Sequence, residues 1–244
     1  MGGHAISMTW GDLAFLHWPV PAASLRERIP KELELDTFDG DAWIGVVPFE
    51  MRRTRFRFAP PVPTATDFLE LNLRTYVRHG DRAGVWFFSL DAESRLAVRG
   101  ARASFALPYF NASMSSRPAA GGGFRYTSRR THRGAPPADF AGSYGPTGPV
   151  FTAEPGTLEH FLTERYSLFS KVGYGVRYAM RRCLLRGDIQ HVPWPLQGGE
   201  AELEVNDMFD LAGLELPRQV RLRPPVVHFA SSIDVLAMAP KKSR

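Results

Sequence analysis

The 244-residue chain has one cysteine, Cys183, and four lysines, Lys31, Lys171, Lys241 and Lys242. A lone cysteine excludes an internal disulfide, and in "RYAMRRCLL" it reads as a small buried hydrophobe. The seven histidines, at 4, 17, 79, 132, 160, 191 and 228, include no pair at a metal-ligand spacing such as i, i+4, and no metal is expected. "AAGGGF" lacks the lysine of a phosphate-binding loop, and no G-x-S-x-G elbow occurs. No cofactor is expected. No apolar run approaches the roughly 18 residues of a membrane span. The opening "MGGHAISMTW" lacks the regions of a signal peptide and the signature of a myristoylation site. Together these absences lead to the expectation of a cytoplasmic protein with no membrane partner.

What is present is apolar, aromatic and unevenly charged. Seventeen Phe, five Trp and seven Tyr supply ample core material. Residues 1–50 carry 3 basic and 8 acidic side chains, residues 51–135 carry 15 and 5, and the remainder carries 12 of each. The arginine clusters "MRRTRFRF" and "SRRTHR" raise a nucleic-acid face. No helix-turn-helix, zinc-finger or RNA-recognition pattern accompanies them, so solvated strand faces are the favoured reading.

The dominant period is two, that of strands. "MTWGDLAFLHWPV" reads as a first strand and "AASLRERIP" as a short helix. A hairpin is expected around Asp39-Gly40, a favoured tight-turn pair, and a second around His79–Asp81. Residues 52–67 read as a proline-punctuated loop, "ESRLAVRGARASF" as a helix capped by Asp91 or Ser94, and 121–134 as a basic hairpin. "GTLEHFLTERY" reads as a helix with Thr157 at its N-cap, and 175–206 as two strands. "DMFDLAGL" is a short helix, "VVHFASSIDVLAMA" a closing strand, and residues 239–244 a flexible tail. The expectation is a single β-rich α+β domain over 1–244, a barrel or two packed sheets.

Chemistry gathers in three places. On "ELNLRTYV", strand alternation sets Glu70, Asn72, Arg74 and Tyr76 on one face. Facing solvent, they are ordinary. Facing a cavity, they converge a carboxylate, an amide, a guanidinium and a phenol, a set suited to a small polar ligand. "HVPWPLQ" holds His191 and Trp194 between prolines at a strand edge; His191 is either a proton carrier or a structural imidazole, and Trp194 fits a core or a binding wall. "LTERY" places Glu164, Arg165 and Tyr166 at a helix end, where a structural ion pair is expected.

"ELNLRTYV", "GVWFFSLDA", "LPYFNASM", "GTLEHFLTERY", "HVPWPLQ" and "VVHFASSIDV", in this order, resemble the YqjF-like bacterial family of unknown function, itself similar to acetoacetate decarboxylase. The likeness runs from about Trp10 to Ala237. It implies an antiparallel barrel or cone around a cavity, with a few short outer helices. In the decarboxylase an Arg-Glu pair precedes a Pro-Lys-Lys motif whose first lysine forms a Schiff base. Here Arg102 holds the arginine position, Ala103 follows it, and Tyr109 and Phe110 stand after Pro108 where the lysines would be. Glu70 resembles the cavity glutamate. A Schiff base needs a primary amine of depressed pKa, and none lies in this stretch; Lys171 is the one internal lysine that could swing in.

Two functions follow. One is a binder of a small carboxylate- or carbonyl-bearing metabolite, either as a lyase or hydrolase that uses no Schiff base or as a binder alone. There Arg102 or Arg74 would hold the anion, Glu70 would accept a proton and Tyr109 would donate a hydrogen bond. Glu70, Tyr109 and His191 are the catalytic candidates; Glu70, Asn72, Arg74, Arg102, Tyr109 and Trp194 are the ligand-binding ones. The other is a non-catalytic structural or interaction protein whose cavity is filled by aromatics. A homo-oligomer stays open.

Overall fold

The computed structural model describes residues 3–58, 60, 62–171, 183–211, 213, 216, 220–221 and 223–243. The strands are β1 (Ile6–Val20), β2 (Glu34–Leu35), β3 (Ala42–Phe56), β4 (Phe68–His79), β5 (Arg82–Ala92), β6 (Tyr109–Pro118), β7 (Phe124–Arg130), β8 (Asp139–Phe151), β9 (Ser167–Lys171), β10 (Leu184–Gln190), β11 (Leu196–Asn206), β12 (Val226–Ala237) and β13 (Lys241–Lys242). The helices are α1 (Ala22–Arg26), α2 (Pro63–Thr66), α3 (Arg95–Phe105), α4 (Leu158–Thr163) and α5 (Met208–Leu211). No helix among the described residues is long and apolar enough to cross a membrane.

The thirteen strands among the described residues join one sheet, which closes into a ring in the order β5-β6-β7-β8-β11-β12-β1-β3-β4 and back to β5. β9 and β10 make a second path from β5 to β12. Most pairings are antiparallel, as expected, but β5–β6 and β5–β9 run parallel. For β5–β6 the reason is covalent: α3 carries the chain back across the sheet, and a strand re-entering after such a crossover lies parallel to the one it left.

Local chemistry explains the boundaries. Asp39 and Gly40 have φ of 51° and 87°, the paired positive values of a tight hairpin turn, and Phe38 bridges Asp41 across it. Ser94, not Asp91, caps α3, accepting from the Ala97 amide at 3.2 Å. Thr157 caps α4 through the His160 amide at 3.3 Å. That helix stops at Thr163, three residues short of the sequence expectation, because Arg165 and Tyr166 are drawn off to other partners.

Several expectations change. β3 runs on to Phe56, absorbing the start of the predicted 52–67 loop, because β1 continues alongside it (Ile6 opposite Phe56). The basic 121–134 segment is one strand, β7, whose partners β6 and β8 lie outside that segment. The residues expected as a flexible tail place Lys241 and Lys242 opposite Arg186 and Leu185 of β10. Cys183 is half-buried rather than buried. Of the 175–206 reading, 175–182 lie outside the described residues, while β10 and β11 are the two strands expected.

Apolar packing falls on both sides of β4. Leu71, Leu73 and Val77 join Leu16, Trp18, Tyr126 and Phe140 in one core. Phe68 joins Met8, Phe15, Phe49, Leu90 and Trp194 in another, which borders the pocket described next.

Candidate functional site

Strand alternation puts Phe68, Glu70, Asn72 and Arg74 on one face of β4, and all four line a pocket of about 340 Å³. β3 runs opposite in register, with Met51 facing Phe68, Phe49 facing Glu70, Val47 facing Asn72 and Gly45 facing Arg74. β1 adds Met8, Trp10 and Phe15. Its pairing with β3 slips between Gly11 and Leu16, around Asp12 at φ 48°, a bulge that re-aims the side chains after it. Tyr76, the fourth member of the sequence-predicted polar face, does not line this pocket. Its hydroxyl donates to the Leu162 carbonyl at 2.8 Å and meets the buried His17 Nε2.

Glu70 is 2% exposed, and its partners are the Tyr109 hydroxyl, which donates to Oε2 at 2.9 Å, and the Asn72 side chain. Burial disfavours the anion more strongly than these two bonds favour it. The Glu70 pKa is therefore raised from 4.5 to about 8, and the carboxyl is mostly protonated at neutral pH. Burial, with Glu70 beside it, pushes Tyr109 well above the ordinary phenol value, so it stays a donor.

The chain brings Tyr109 here by a sharp turn. Ala106 closes α3 at φ 50°, and Arg102 Nη1 donates to the Tyr109 carbonyl at 2.6 Å. Arg102 thus holds the backbone of Tyr109 and does not reach the Glu70 pocket. It lines a neighbouring one with Trp86, Phe110 and Lys171. The expectation that it sits with Glu70 in one cavity is corrected, because one long side chain cannot both cap this turn and enter the pocket. Alternation turns Phe110 away from Tyr109, and the Arg130 guanidinium covers its ring at 4.1 Å. Lys171 Nζ is bound by Glu32 at 2.6 Å, outside the Glu70 pocket.

Arg74 enters the pocket as a cation without an anion. Its Nη2 donates to the Leu162 carbonyl at 3.2 Å, its guanidinium lies 5.2 Å from the Phe15 ring centre, and its Nε is buried without a partner. No carboxylate among the described residues forms an ion pair with it.

His191 and Trp194 reach the same pocket from the loop between β10 and β11. His191 Nδ1 lies 2.6 Å from the Val192 carbonyl, so Nδ1 carries the proton and Nε2 presents a lone pair. Burial lowers its pKa, keeping the ring neutral at pH 7, and Nε2 is buried without a partner. Trp194 stacks on Trp10 at 5.8 Å, and both indole N–H groups are buried and unpaired. Glu164 fastens this loop, accepting from the Trp194 amide at 2.9 Å and from the Tyr166 hydroxyl. Arg165 pairs with Asp36 at 2.6 Å rather than with its neighbour Glu164. Trp10, Phe15, Thr163 and Ser167 also line the pocket and were not singled out from the sequence, and Arg165, expected only in a structural ion pair, lines it too. The alternation of Met8 and Trp10 was a signal for the first; the others depend on distant pairing.

A family model described as DUF2071, uncharacterized conserved protein, matches residues 7–234. The uncharacterized protein YqjF of Bacillus subtilis (strain 168) is 44% identical over 228 residues, 93% of this chain and 88% of that protein. Among solved structures, the enduracididine biosynthesis enzyme MppR, complexed with the condensation product of pyruvate and imidazole 4-carboxaldehyde, superimposes with a TM-score of 0.71 at 13% identity. That match covers 99% of this chain and 90% of MppR. Acetoacetate decarboxylase from Legionella pneumophila gives a TM-score of 0.68 at 12% identity over 99% and 88% of the two chains. At these identities the likeness is one of fold.

Proposed function

The chain belongs to the DUF2071 family of uncharacterized conserved proteins, and from that premise we propose that it binds a small metabolite bearing a carboxylate or a carbonyl in the Glu70 pocket. It acts on that metabolite as a lyase or hydrolase that forms no amine adduct. The observation carrying this reading is the buried Tyr109–Glu70 hydrogen bond inside the pocket. A carboxyl kept neutral by burial can donate to a substrate carbonyl and stabilise the charge that grows on its oxygen. The sequence assigned Glu70 as a proton acceptor; a pKa near 8 makes it the donor.

Two further features support the reading. Arg74 is half-buried and lacks an anion, with its Nε buried and unpaired; a ligand carboxylate would supply the partner in bidentate geometry. Asn72 Oδ1, His191 Nε2 and the Trp10 and Trp194 indole nitrogens are buried, unpaired and on the lining, whereas buried polar groups are ordinarily satisfied. In a lyase step, His191 Nε2 takes the proton of a β-hydroxyl and the adjacent C–C bond breaks. The electron pair passes to the carbonyl, whose oxygen takes the Glu70 proton, leaving an enol and a second carbonyl product. In hydrolysis the same nitrogen takes a proton from water as it adds to the polarised carbonyl. MppR, which shares the fold, has been captured with pyruvate and with a pyruvate condensation product, ligands of this class.

An aromatic-filled, non-catalytic interior has less support, because the stacked Trp10 and Trp194 leave a pocket of about 340 Å³ beside them. The single cysteine fits a reducing, cytoplasmic setting. A panel of oxo acids, hydroxy-oxo acids and esters, followed by tryptophan fluorescence and product analysis, tests the proposal. Binding that survives Glu70→Gln while turnover is lost is expected. Absence of binding by any member to the folded protein, or full turnover by Glu70→Gln, overturns it.

A further inference from the structure

Phe68, Glu70, Asn72 and Arg74 form a ruler along the pocket wall. Same-face residues of a strand lie about 6.8 Å apart, so the ruler spans about 20 Å. Polarity changes along it in one direction. Arg74 bonds the Leu162 carbonyl, from which the chain leads to Thr163, Arg165 and Ser167. At the other end Met51 lies opposite Phe68, Val62 leads into α2 just before it, Ser94, two residues before Leu96, bonds Thr64 of α2, and Phe56 lies further along β3.

Exposure changes with polarity, in the sense opposite to an ordinary cleft. Thr163, Arg165 and Ser167 are buried at 2%, 7% and 7%, whereas Phe56, Val62 and Leu96 are 45%, 40% and 48% exposed. The charged end is the closed end, and the mouth is apolar. A short polar acid gains nothing from that mouth. An apolar tail gains at every carbon, because exposed hydrocarbon on both sides is withdrawn from water.

Resting on the reading above, we infer that the ligand is an amphiphilic oxo acid. It enters head first, carboxylate between Arg74 and Asn72 and the adjoining oxo group turned towards Glu70, with a long apolar tail running past Phe68 to the mouth formed by Phe56, Val62 and Leu96.

Straight-chain 2-oxo acids from pyruvate to 2-oxooctadecanoate, titrated calorimetrically into the full chain, test this. Affinity is expected to rise about threefold to fourfold per added methylene until the tail reaches the mouth, and then to level. A dicarboxylate of matched length, 2-oxosebacate, is expected to bind at least tenfold more weakly than 2-oxodecanoate. Leu96→Asp and, at a second exposed position, Val62→Ser reduce the gain per methylene; Arg74→Gln weakens every acid in the series by a similar factor. Pyruvate binding as tightly as the long acids, or 2-oxosebacate matching 2-oxodecanoate, overturns the tail assignment and leaves the carbonyl-binding function standing. No binding by any acid overturns both.

Discussion

The Tyr109 hydroxyl donates a 2.9 Å hydrogen bond to Glu70 Oε2 where both side chains are buried. Strand β4 supplies the acid, and β6, which pairs with β5 beside β4, supplies the phenol, so the contact bridges across one intervening strand. Tyr109→Phe removes a donor that favours the Glu70 anion, so the Glu70 midpoint is expected to move further up. Losing one buried hydrogen bond is expected to cost about 1–2 kcal/mol of stability. Carboxyl titration and a denaturant melt on the same variant check both.

Glu70 also sets a pH dependence of stability. Its folded pKa of about 8 lies above the ordinary carboxyl value of 4.5. Below the lower value both states hold the proton and nothing is lost. Between the two, the unfolded chain releases a proton that the folded one keeps, so the Glu70 contribution to stability declines as pH rises and levels off above pH 8. Each pKa unit is worth about 1.4 kcal/mol. Glu70→Gln is expected to flatten this decline and to gain most over wild type in alkaline buffer, as read by urea melts from pH 4 to 9.

Borohydride reduction in the presence of pyruvate or acetoacetate is expected to leave the protein mass unchanged. Tyr109 and Phe110 follow Pro108 at the positions where the resemblance to acetoacetate decarboxylase implies lysines, and Lys171, on the neighbouring pocket, is occupied by Glu32. A mass increment mapped to any lysine contradicts the adduct-free chemistry.

Asp91, one of the two residues that the sequence offers as a cap for α3, pairs instead with Arg130 at 2.6 Å, with the two side chains 1% and 2% exposed. Arg130 also bonds Ser89 and covers Phe110, the neighbour of Tyr109. Asp91→Ala strands a buried cation and is expected to cost about 3–5 kcal/mol. Replacing both partners with apolar residues is expected to restore much of that loss, measured by thermal unfolding.

Local features were legible in the sequence. Asp39-Gly40 turns because both residues tolerate positive φ, Ser94 caps because its hydroxyl reaches a free amide, and the β4 alternation set Glu70, Asn72 and Arg74 on one face. Which face that was depends on pairing with β3 and β5 across the ring, and the strand pattern, with Leu71 and Leu73 buried behind it, does not encode the choice. Arg102 was misplaced for the same reason: spacing to Pro108 locates a residue along the chain, whereas the left-handed Ala106 decides which way its side chain leaves the turn. Trp10 meets His191 and Trp194 from the opposite end of the sequence, a contact that only the β12–β1 closure creates.

The protonation state of Glu70 in the unliganded protein is the most direct test. Carboxyl-¹³C glutamate labelling, assigned by the loss of one resonance in Glu70→Gln, gives its titration midpoint by NMR. A midpoint near 8 is expected, moving upward in Tyr109→Phe. A midpoint near the ordinary carboxyl value of 4.5 would make Glu70 an anion at neutral pH, unable to donate to a carbonyl, and would contradict the function proposed for the pocket.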